Sequence, residues 1–148
     1  MHDHVNVFPT EESYKETFKK LVRKIPKNGL LVYALAGKNN QEIVAHAACK
    51  TLSYGLHSGA DWYAENIVYG MTSSFDLMHK DQKIIKLETT LLGKHNVENI
   101  TGAGAFLLET KKITPEVFAK AIVSFHGIKN RIELKTKKSS VPVYECFG

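Results

Sequence analysis

Apolar positions along the chain follow two alternating spacings, which predicts an α/β protein. Residues 10–24 open with Thr-Glu-Glu and then carry apolar side chains at helical spacing, until Pro26 ends the pattern. Residues 30–36 form a short, continuously apolar run, as expected for a buried parallel strand. A small-residue helix over 41–52 and a strand over 53–56 would complete a βαβ unit.

The spacing changes after Asp61. Residues 62–68, 74–78 and 83–91 are predicted as antiparallel strands of a small meander laid against the α/β part. Helical spacing returns near residue 96 and again after Thr114-Pro115-Glu116, and the stretches 131–136 and 141–146 are predicted as two final strands.

Each predicted helix has an expected buried face. On the helix near residue 96, Gly102 and Gly104 should also let the backbone approach its neighbours closely. The side chains expected to point inward are Tyr14, Phe18, Leu21, Val22 and Ile25 on the first helix, Ile43, Val44, Ala47 and Ala48 on the second, Ile100, Ala103, Ala105, Phe106 and Leu107 on the third, and Val117, Ala121, Ile122 and Phe125 on the fourth.

Composition narrows the class of protein. A chain of 148 residues with 43% hydrophobic and 24% charged residues suits one soluble globular domain, although a domain of this size could also be part of something larger. The net charge of +5 comes from dispersed lysines without interleaved aromatics, so we expect no nucleic-acid partner, and nucleotide phosphate is the better anionic candidate. Cys49, on the predicted second helix, and Cys146 have no metal-binding or secretory context, and no apolar run approaches the roughly 18 residues that span a bilayer. We therefore expect a cytoplasmic protein with no membrane partner.

The junction between the meander and the third long helix carries the strongest functional signal. It reads Gly-Lys-His-Asn-Val-Glu-Asn over 93–99. If the helix begins near Lys94, Asn96 and Asn99 project from one face of its first turn. A side-chain amide offers both a donor and an acceptor, as the edge of a purine requires, and free N–H groups at a helix start favour an anion. The alternative is that these asparagines only cap the helix.

Three other places could carry chemistry. His2-Asp3-His4 could bind Mg²⁺ or Zn²⁺, or could be a frayed terminus. Arg131, at a helix-to-strand junction, could reach a phosphate or could form a surface ion pair. The tail 144–148 stops where the last strand ends, which is where ligands bind in open α/β sheets, so we expect the chain to be cut within a site. No phosphate-loop motif occurs, so any triphosphate cradle should lie outside the chain.

Four ordered motifs resemble a known family. Asp3-His4 followed by Phe8, residues 92–99, residues 125–133 and residues 143–148 are similar to D-H-x-D-x-[FYH], G-x-H-N-x-x-N, F-x-G-x-x-R-R-[FL]-[DE] and V-x-D-D-[FY]-[AG]. These segments resemble the second half of the central ATP-binding domain of the Mur ligases, cytoplasmic enzymes that build the peptide stem of bacterial peptidoglycan. The resemblance implies a partial three-layer, parallel-sheet domain that lacks its P-loop part. Residues 1–148 would be the C-terminal portion of that central domain, ending where the C-terminal domain begins.

The resemblance also implies a reaction and site residues. Mur ligases use ATP and Mg²⁺ to convert a carboxylate to an acyl phosphate, which an amine then attacks. By position, His4 would bind Mg²⁺, Asn96 and Asn99 would hold adenine with His95 beside them, and Arg131 would reach the nucleotide phosphates. Lys19 falls where some relatives carry a carbamylated lysine that helps to bind magnesium.

Within the family, the sequence resembles ligases that join the tripeptide L-alanyl-γ-D-glutamyl-meso-diaminopimelate to UDP-N-acetylmuramate, with the ligases that join L-alanine to UDP-N-acetylmuramate as the alternative. The pattern is not complete: Glu145-Cys146 replaces an Asp pair, Asn6 an Asp and Asn130 an Arg. A degenerate nucleotide-binding or scaffolding module, and a small metal-binding protein using His2 and His4, therefore stay open. For the isolated chain we expect no catalysis.

Overall fold

The computed structural model describes residues 6–128, 133–136, 141 and 143–145. Thr10 caps the first helix, and its hydroxyl accepts from the Ser13 amide at 3.1 Å. The elements in chain order are α1 (Glu11–Arg23), β1 (Leu30–Ala34), α2 (Asn40–Val44), β2 (Lys50–Gly55), β3 (Trp62–Val68), β4 (Ser73–His79), β5 (Gln82–Thr89), α3 (Lys94–Glu109), α4 (Pro115–Ser124), β6 (Glu133–Leu134) and β7 (Tyr144–Glu145).

Five strands form one mixed sheet in the order β1-β2-β3-β4-β5. β1 and β2 are parallel over five residue pairs, from Leu30 opposite Lys50 to Ala34 opposite Tyr54. β3 runs parallel to β2 but overlaps it by only two pairs, and β3, β4 and β5 are antiparallel to one another. The predicted α/β part and meander are therefore confirmed. The meander is not a separate layer, however, because β3 continues the sheet of β1 and β2.

The core lies between this sheet and the helices α3 and α4. Phe75, Leu77 and Leu87 on the sheet have no exposed surface. α3 approaches closely through its glycines, as predicted: a Cβ at Gly102 would lie 2.8 Å from the Tyr54 ring, and one at Gly104 would lie 2.9 Å from the Phe118 ring. No helix in the described part of the chain is long and apolar enough to cross a membrane.

The predicted second helix was wrong over most of its length. α2 ends at Val44, β2 has begun by Lys50, and Cys49 lies in a bend. Alanines in this stretch favour a helix, but pairing of Lys50 with Leu30 requires extended chain there, so strand pairing overrides local propensity.

The buried faces of all four predicted helices differ from the prediction. α2 has no buried residue, and Ala47 and Ala48 lie beyond its end. On α1, Val22 is buried but Phe18 and Leu21 are exposed. On α3, the buried residues are Val97, Ile100, Thr101, Gly104 and Ala105, whereas Ala103 and Phe106 are exposed. On α4, Phe118 is buried, whereas Val117, Ala121 and Phe125 are exposed. Close approach at Gly104 determines the rotation of α3, because this glycine must face Phe118.

The two final strands are confirmed only in part. β6 and β7 pair antiparallel, with Glu133 opposite Glu145 and Leu134 opposite Tyr144. Lys135, Thr136, Val141 and Val143 were also predicted as strand but lie outside β6 and β7, and the remaining predicted positions lie outside the described residues.

Candidate nucleotide-binding site

A cavity of about 730 Å³ lies between the start of α3 and the end of α4. Its volume is in the range of small-molecule sites, and its walls are largely apolar, as such sites require. Polar side chains are provided by His95, Asn96 and Asn99. The apolar lining residues are Leu91, Ile100, Ala103, Ile122, Phe125 and Ile128.

The chain enters α3 through Gly93, which has a φ of 91°. A left-handed φ of this kind favours glycine. A Cβ at this position would also lie 3.1 Å from Cε1 of His95, so the His95 ring packs over the glycine. The helix then begins at Lys94, as predicted, and the structure brings Asn96 and Asn99 to the same cavity.

Asn96 is held in one orientation. Its Nδ2 donates to the carbonyl oxygen of Leu92 at 2.8 Å. Because a carbonyl can only accept, this contact identifies which end of the amide is nitrogen. Among the described residues, no donor is bonded to the side-chain oxygen of Asn96, so this oxygen is available to a ligand. Neither asparagine is the N-cap of α3, because that position is Gly93 and no side-chain cap hydrogen bond is present.

Asn99 and His95 complete the polar side of the cavity. Both side chains are exposed, and within the described residues the Asn99 amide has no hydrogen-bond partner. Asn99 therefore offers a free donor and a free acceptor one turn along the helix from Asn96. The start of α3 adds unpaired backbone N–H groups, which favour an anionic ligand.

Two predicted site residues, His4 and Arg131, lie outside the described residues, as do His2, Asn130 and Cys146. Over the residues that the structure does describe, no group of three or more His, Cys, Asp or Glu side chains could hold a metal ion.

Lys19 lies in a different environment from the one a carbamylated lysine requires. Its side chain is 8% exposed, and its Nζ lies 2.7 Å from Glu42, 2.9 Å from Glu16 and 3.4 Å from Glu12. The carboxylates of Glu42 and Glu16 raise the pKa of Lys19, so the amine stays a cation. Carbamylation needs a neutral amine and would place a negative group among three carboxylates. A carbamylated Lys19 therefore does not fit this structure.

The apolar walls were not predicted as part of a site. Ala103 and Phe125 were expected to point into the core, but both are exposed and line the cavity, Phe125 at 45%. Ile122 packs against the core, as expected, and lines the cavity as well. The sequence did contain a signal for this wall, because α4 carries apolar residues on two faces. The face that includes Phe118 is enough to cover the sheet, so the other face is available to line a cavity.

Comparisons with known proteins agree with this architecture. The Mur ligase middle domain family matches residues 1–107. The chain is 32% identical over 148 residues to the UDP-N-acetylmuramate--L-alanine ligase of Clostridium botulinum, covering 99% of this chain and 32% of that relative. It therefore spans about a third of the length of the curated relatives it matches.

Solved structures show the same fold. The UDP-N-acetylmuramate-alanine ligase of Thermotoga maritima superposes with a TM-score of 0.78 at 15% identity, covering 99% of this chain and 32% of that one. The UDP-N-acetylmuramate:L-alanyl-gamma-D-glutamyl-meso-diaminopimelate ligase of Neisseria meningitides gives a TM-score of 0.74 at 20% identity, covering 87% and 39%. At these identities the structures support the fold alone. Since the family match covers well over half of its 148 residues, the chain belongs to the Mur ligase family.

Proposed function

We propose that this chain is the adenine-recognising part of an ATP-dependent ligase that joins an amine to the carboxylate of UDP-N-acetylmuramate. The observation that carries the proposal is the Asn96 amide, which is oriented by the Leu92 carbonyl at the edge of an apolar cavity. The UDP-N-acetylmuramate acceptor is supported by the names of the relatives, which share it.

The cavity fits a purine chemically. Apolar side chains such as Ile100 and Phe125 can contact the faces of the base, and the amides can bind its edge. The oxygen of Asn96 can accept a hydrogen bond from the exocyclic amino group of adenine, whereas guanine carries an acceptor at that position. ATP bound here would supply the phosphoryl group that activates the carboxylate. The roles of Arg131 at the phosphates and His4 at Mg²⁺ are part of the proposal.

We further propose that residues 1–148 form the C-terminal portion of the central domain. A preceding part would then contain the phosphate-binding loop, because this sequence has no such motif. The whole protein would act in the cytoplasm, in peptidoglycan synthesis or recycling.

Two amino substrates need to be compared. The residues found in the family motifs favour the tripeptide L-alanyl-γ-D-glutamyl-meso-diaminopimelate. The curated relatives at 31% to 32% identity, in contrast, are named UDP-N-acetylmuramate--L-alanine ligases. Both reactions use the same acceptor carboxylate. We give L-alanine the greater weight, because the match to those relatives extends over the whole chain.

The test is phosphate release by the full-length protein with ATP, Mg²⁺ and UDP-N-acetylmuramate. We expect release only when an amine is added, with L-alanine faster than the tripeptide. The reverse order would assign the tripeptide. A folded protein that binds ADP but releases no phosphate with either amine would instead be the degenerate module, and the ligase proposal would be abandoned.

A further inference from the structure

One end of the sheet carries an excess of positive charge, and it is the end away from the base cavity. β1, β2 and β3 all begin at this end, and the turn 80–81 joins β4 to β5 there. α3 starts beside the cavity and runs back to this end. Five exposed lysines follow α1, occupy the turn 80–81 or follow α3. They form the basic edge: Lys24, Lys27, Lys80, Lys111 and Lys112.

The ion pair between Lys50 and Glu109 lies at the centre of the basic edge. The hydrogen bond from Lys50 is the main cause that lowers the pKa of Glu109, and the charge of Lys80 lowers it further, so these side chains are neighbours. Residues 111–112 follow Glu109 directly after the end of α3. Lys27 precedes β1, which begins opposite Lys50. The fold therefore collects these lysines from separate parts of the sequence.

Carboxylates do not neutralise the basic edge. Among the described residues, no carboxylate pairs with the amine of any of its five lysines. Acidic side chains at the same end have other roles: Asp61 accepts from Ser53 and Asp81 accepts from the Tyr63 hydroxyl, each at 2.8 Å. Glu116 lies in the first turn of α4, where a negative charge stabilises the helix. An excess of positive charge is therefore exposed to solvent.

Two lysines of the basic edge occupy backbone positions that lysine does not favour. Lys80 has a φ of 47° and Lys111 has a φ of 52°, both in the left-handed region. Glycine and asparagine adopt this region at lower cost. A cation after α3 also offsets the helix dipole, which accounts for Lys111 in part, but Lys80 follows a strand and has no such role. A lysine in a strained turn indicates a function for its charge.

From these observations we infer that the basic edge binds the surface of an anionic lipid membrane. The nucleotide site does not account for the charge, because the basic edge lies at the other end of the sheet and does not line the base cavity. The sequence led us to expect no membrane partner, since no apolar run could span a bilayer. A peripheral contact between lysines and lipid head groups needs no such run.

The arrangement of the charges favours a lipid surface over other polyanions. All five residues are lysines, which act as flexible point charges and lack the fork with which arginine binds a single phosphate. β1 and β4 lie three strand spacings apart, about 15 Å, so the contact spans several head groups. No Phe, Tyr or Trp occurs in 23–29, 79–82 or 110–114 to stack on bases, as single-stranded nucleic acid requires.

The test is cosedimentation of the full-length protein with lipid vesicles. One set is phosphatidylcholine alone, and the other contains about one third phosphatidylglycerol, which is anionic. We expect at least tenfold tighter binding to the anionic set at low salt, and loss of most of this difference in about 0.5 M salt. Saturating ADP should leave vesicle binding unchanged. Equal binding to both sets overturns the inference, and so does displacement by ADP, which would assign the contact to the nucleotide site.

Two double variants distinguish the basic edge from net charge. Lys80→Glu/Lys111→Glu should weaken binding to the anionic vesicles at least tenfold. Lys86→Glu/Lys120→Glu makes the same change in net charge at exposed lysines of β5 and α4, and should weaken binding by roughly threefold at most. Equal losses would show that only net charge matters and would contradict the inference. Circular dichroism checks folding, and Lys80→Gln/Lys111→Gln, with Lys86→Gln/Lys120→Gln as its control, replaces a reversal variant that does not fold.

Short duplex DNA and polyglutamate represent the other classes of polyanion. If either binds the protein more tightly than the anionic vesicles do at the same salt concentration, the partner is a nucleic acid or an acidic protein, and the lipid inference is wrong. None of these measurements depends on turnover. An active ligase that does not bind anionic vesicles would refute this inference alone, whereas an inactive protein that binds them would refute only the proposed function.

Discussion

At the scale of single residues, the proposed base site depends on the bond between Asn96 and Leu92. Asn96→Asp removes the donor and sets a carboxylate oxygen against the Leu92 carbonyl. We expect ADP affinity of the full-length protein to fall by roughly 5- to 150-fold, the effect of leaving one buried polar group unpaired. Isothermal titration calorimetry of the wild type and of the variant, with ADP and with GDP, measures these affinities.

The chain supplies a matched control for this variant. Asn40 makes the same kind of bond, from Nδ2 to the Ala34 carbonyl at the same 2.8 Å, but it does not line the cavity. Asn40→Asp should lower stability while leaving ADP affinity unchanged. If both variants weakened ADP binding equally, the effect would be one of folding, and Asn96 would have no direct role in the base site.

A second prediction concerns the stacked pair Trp62 and His79, whose ring centroids are 4.2 Å apart with an interplanar angle of 7°. Burial is the main cause that lowers the pKa of His79. Lys80 and Lys50 lower it further, while Glu109 and Asp61 oppose them. Below the ordinary value of about 6.5, the unfolded chain therefore binds a proton that the folded chain resists. The free energy of unfolding should fall as the pH decreases from 7.5 to 5.5.

Trp62 is the single tryptophan of the chain, so denaturant unfolding followed by its fluorescence reports this change directly. His79→Gln should flatten the pH dependence, because the variant cannot take up the proton in either state. His57→Gln, at an exposed histidine, should retain it. A pH dependence that survives in His79→Gln would assign the titration to another group.

At the scale of secondary-structure elements, the contact between α3 and α4 depends on Gly104. A Cβ there would lie 2.9 Å from the Phe118 ring and 3.1 Å from Cδ2 of Leu77. Gly104→Ala gains up to about 1 kcal/mol of helix propensity, but overpacking costs roughly 1 to 3 kcal/mol. We expect a net loss of stability in urea unfolding. The double variant Gly104→Ala/Phe118→Leu should lose less free energy of unfolding than the two single variants lose in sum, because the smaller side chain relieves the clash. Strict additivity of the two losses would refute the clash.

The contact between α1 and α2 is electrostatic. Lys19 and Lys15 lower the pKa of Glu42 from its ordinary value of 4.5 to about 2. A carboxylate with a depressed pKa stabilises the fold above its unfolded pKa, and this contribution is lost as the pH falls from 4.5 towards 2. The protection factors of the α1 amides, which correct for the intrinsic pH dependence of exchange, should fall over this range. Glu42→Gln should weaken the docking of α1 already at neutral pH and should remove the loss of protection between pH 4.5 and 2. Glu65→Gln, at an exposed carboxylate of β3, is the control and should leave that loss unchanged.

The same elements show what the sequence could predict. Capping residues such as Thr10 and Thr114, the β1 run and the alternation of β3 to β5 are local signals, and those elements formed close to where they were expected. The end of α2 could not be predicted locally, because it depends on pairing of Lys50 with Leu30, 20 positions away. The rotation of α3 depends likewise on which glycine meets Phe118.

The residues of the candidate site fall into the same two groups, those that local sequence predicts and those that depend on packing. Asn96 and Asn99 were identified from their spacing on one helical turn, and the structure brings both to one cavity. The cavity walls, such as Phe125, come from a second helix whose position depends on packing. No local pattern distinguishes an apolar side chain that lines a cavity from one that fills a core.

At the scale of the whole molecule, the proposed base site has no phosphate loop beside it in this sequence, and the proposal therefore predicts how the chain discriminates between ligands. Since the sequence contains no phosphate-loop motif, most of the binding energy of the triphosphate must come from elsewhere. The isolated chain should therefore bind adenosine and ATP with similar, weak affinity, no stronger than the millimolar range, and should release no phosphate. In the full-length protein, ATP should bind at least 100-fold more tightly than adenosine. Amide shifts of Asn96 and Asn99 in NMR titrations measure both ratios, and Asn96→Asp is the control that should remove the shifts. Micromolar binding of ATP to the isolated chain would show that residues 1–148 already hold the phosphates, and the division of the ATP site between this chain and a preceding part would then be wrong.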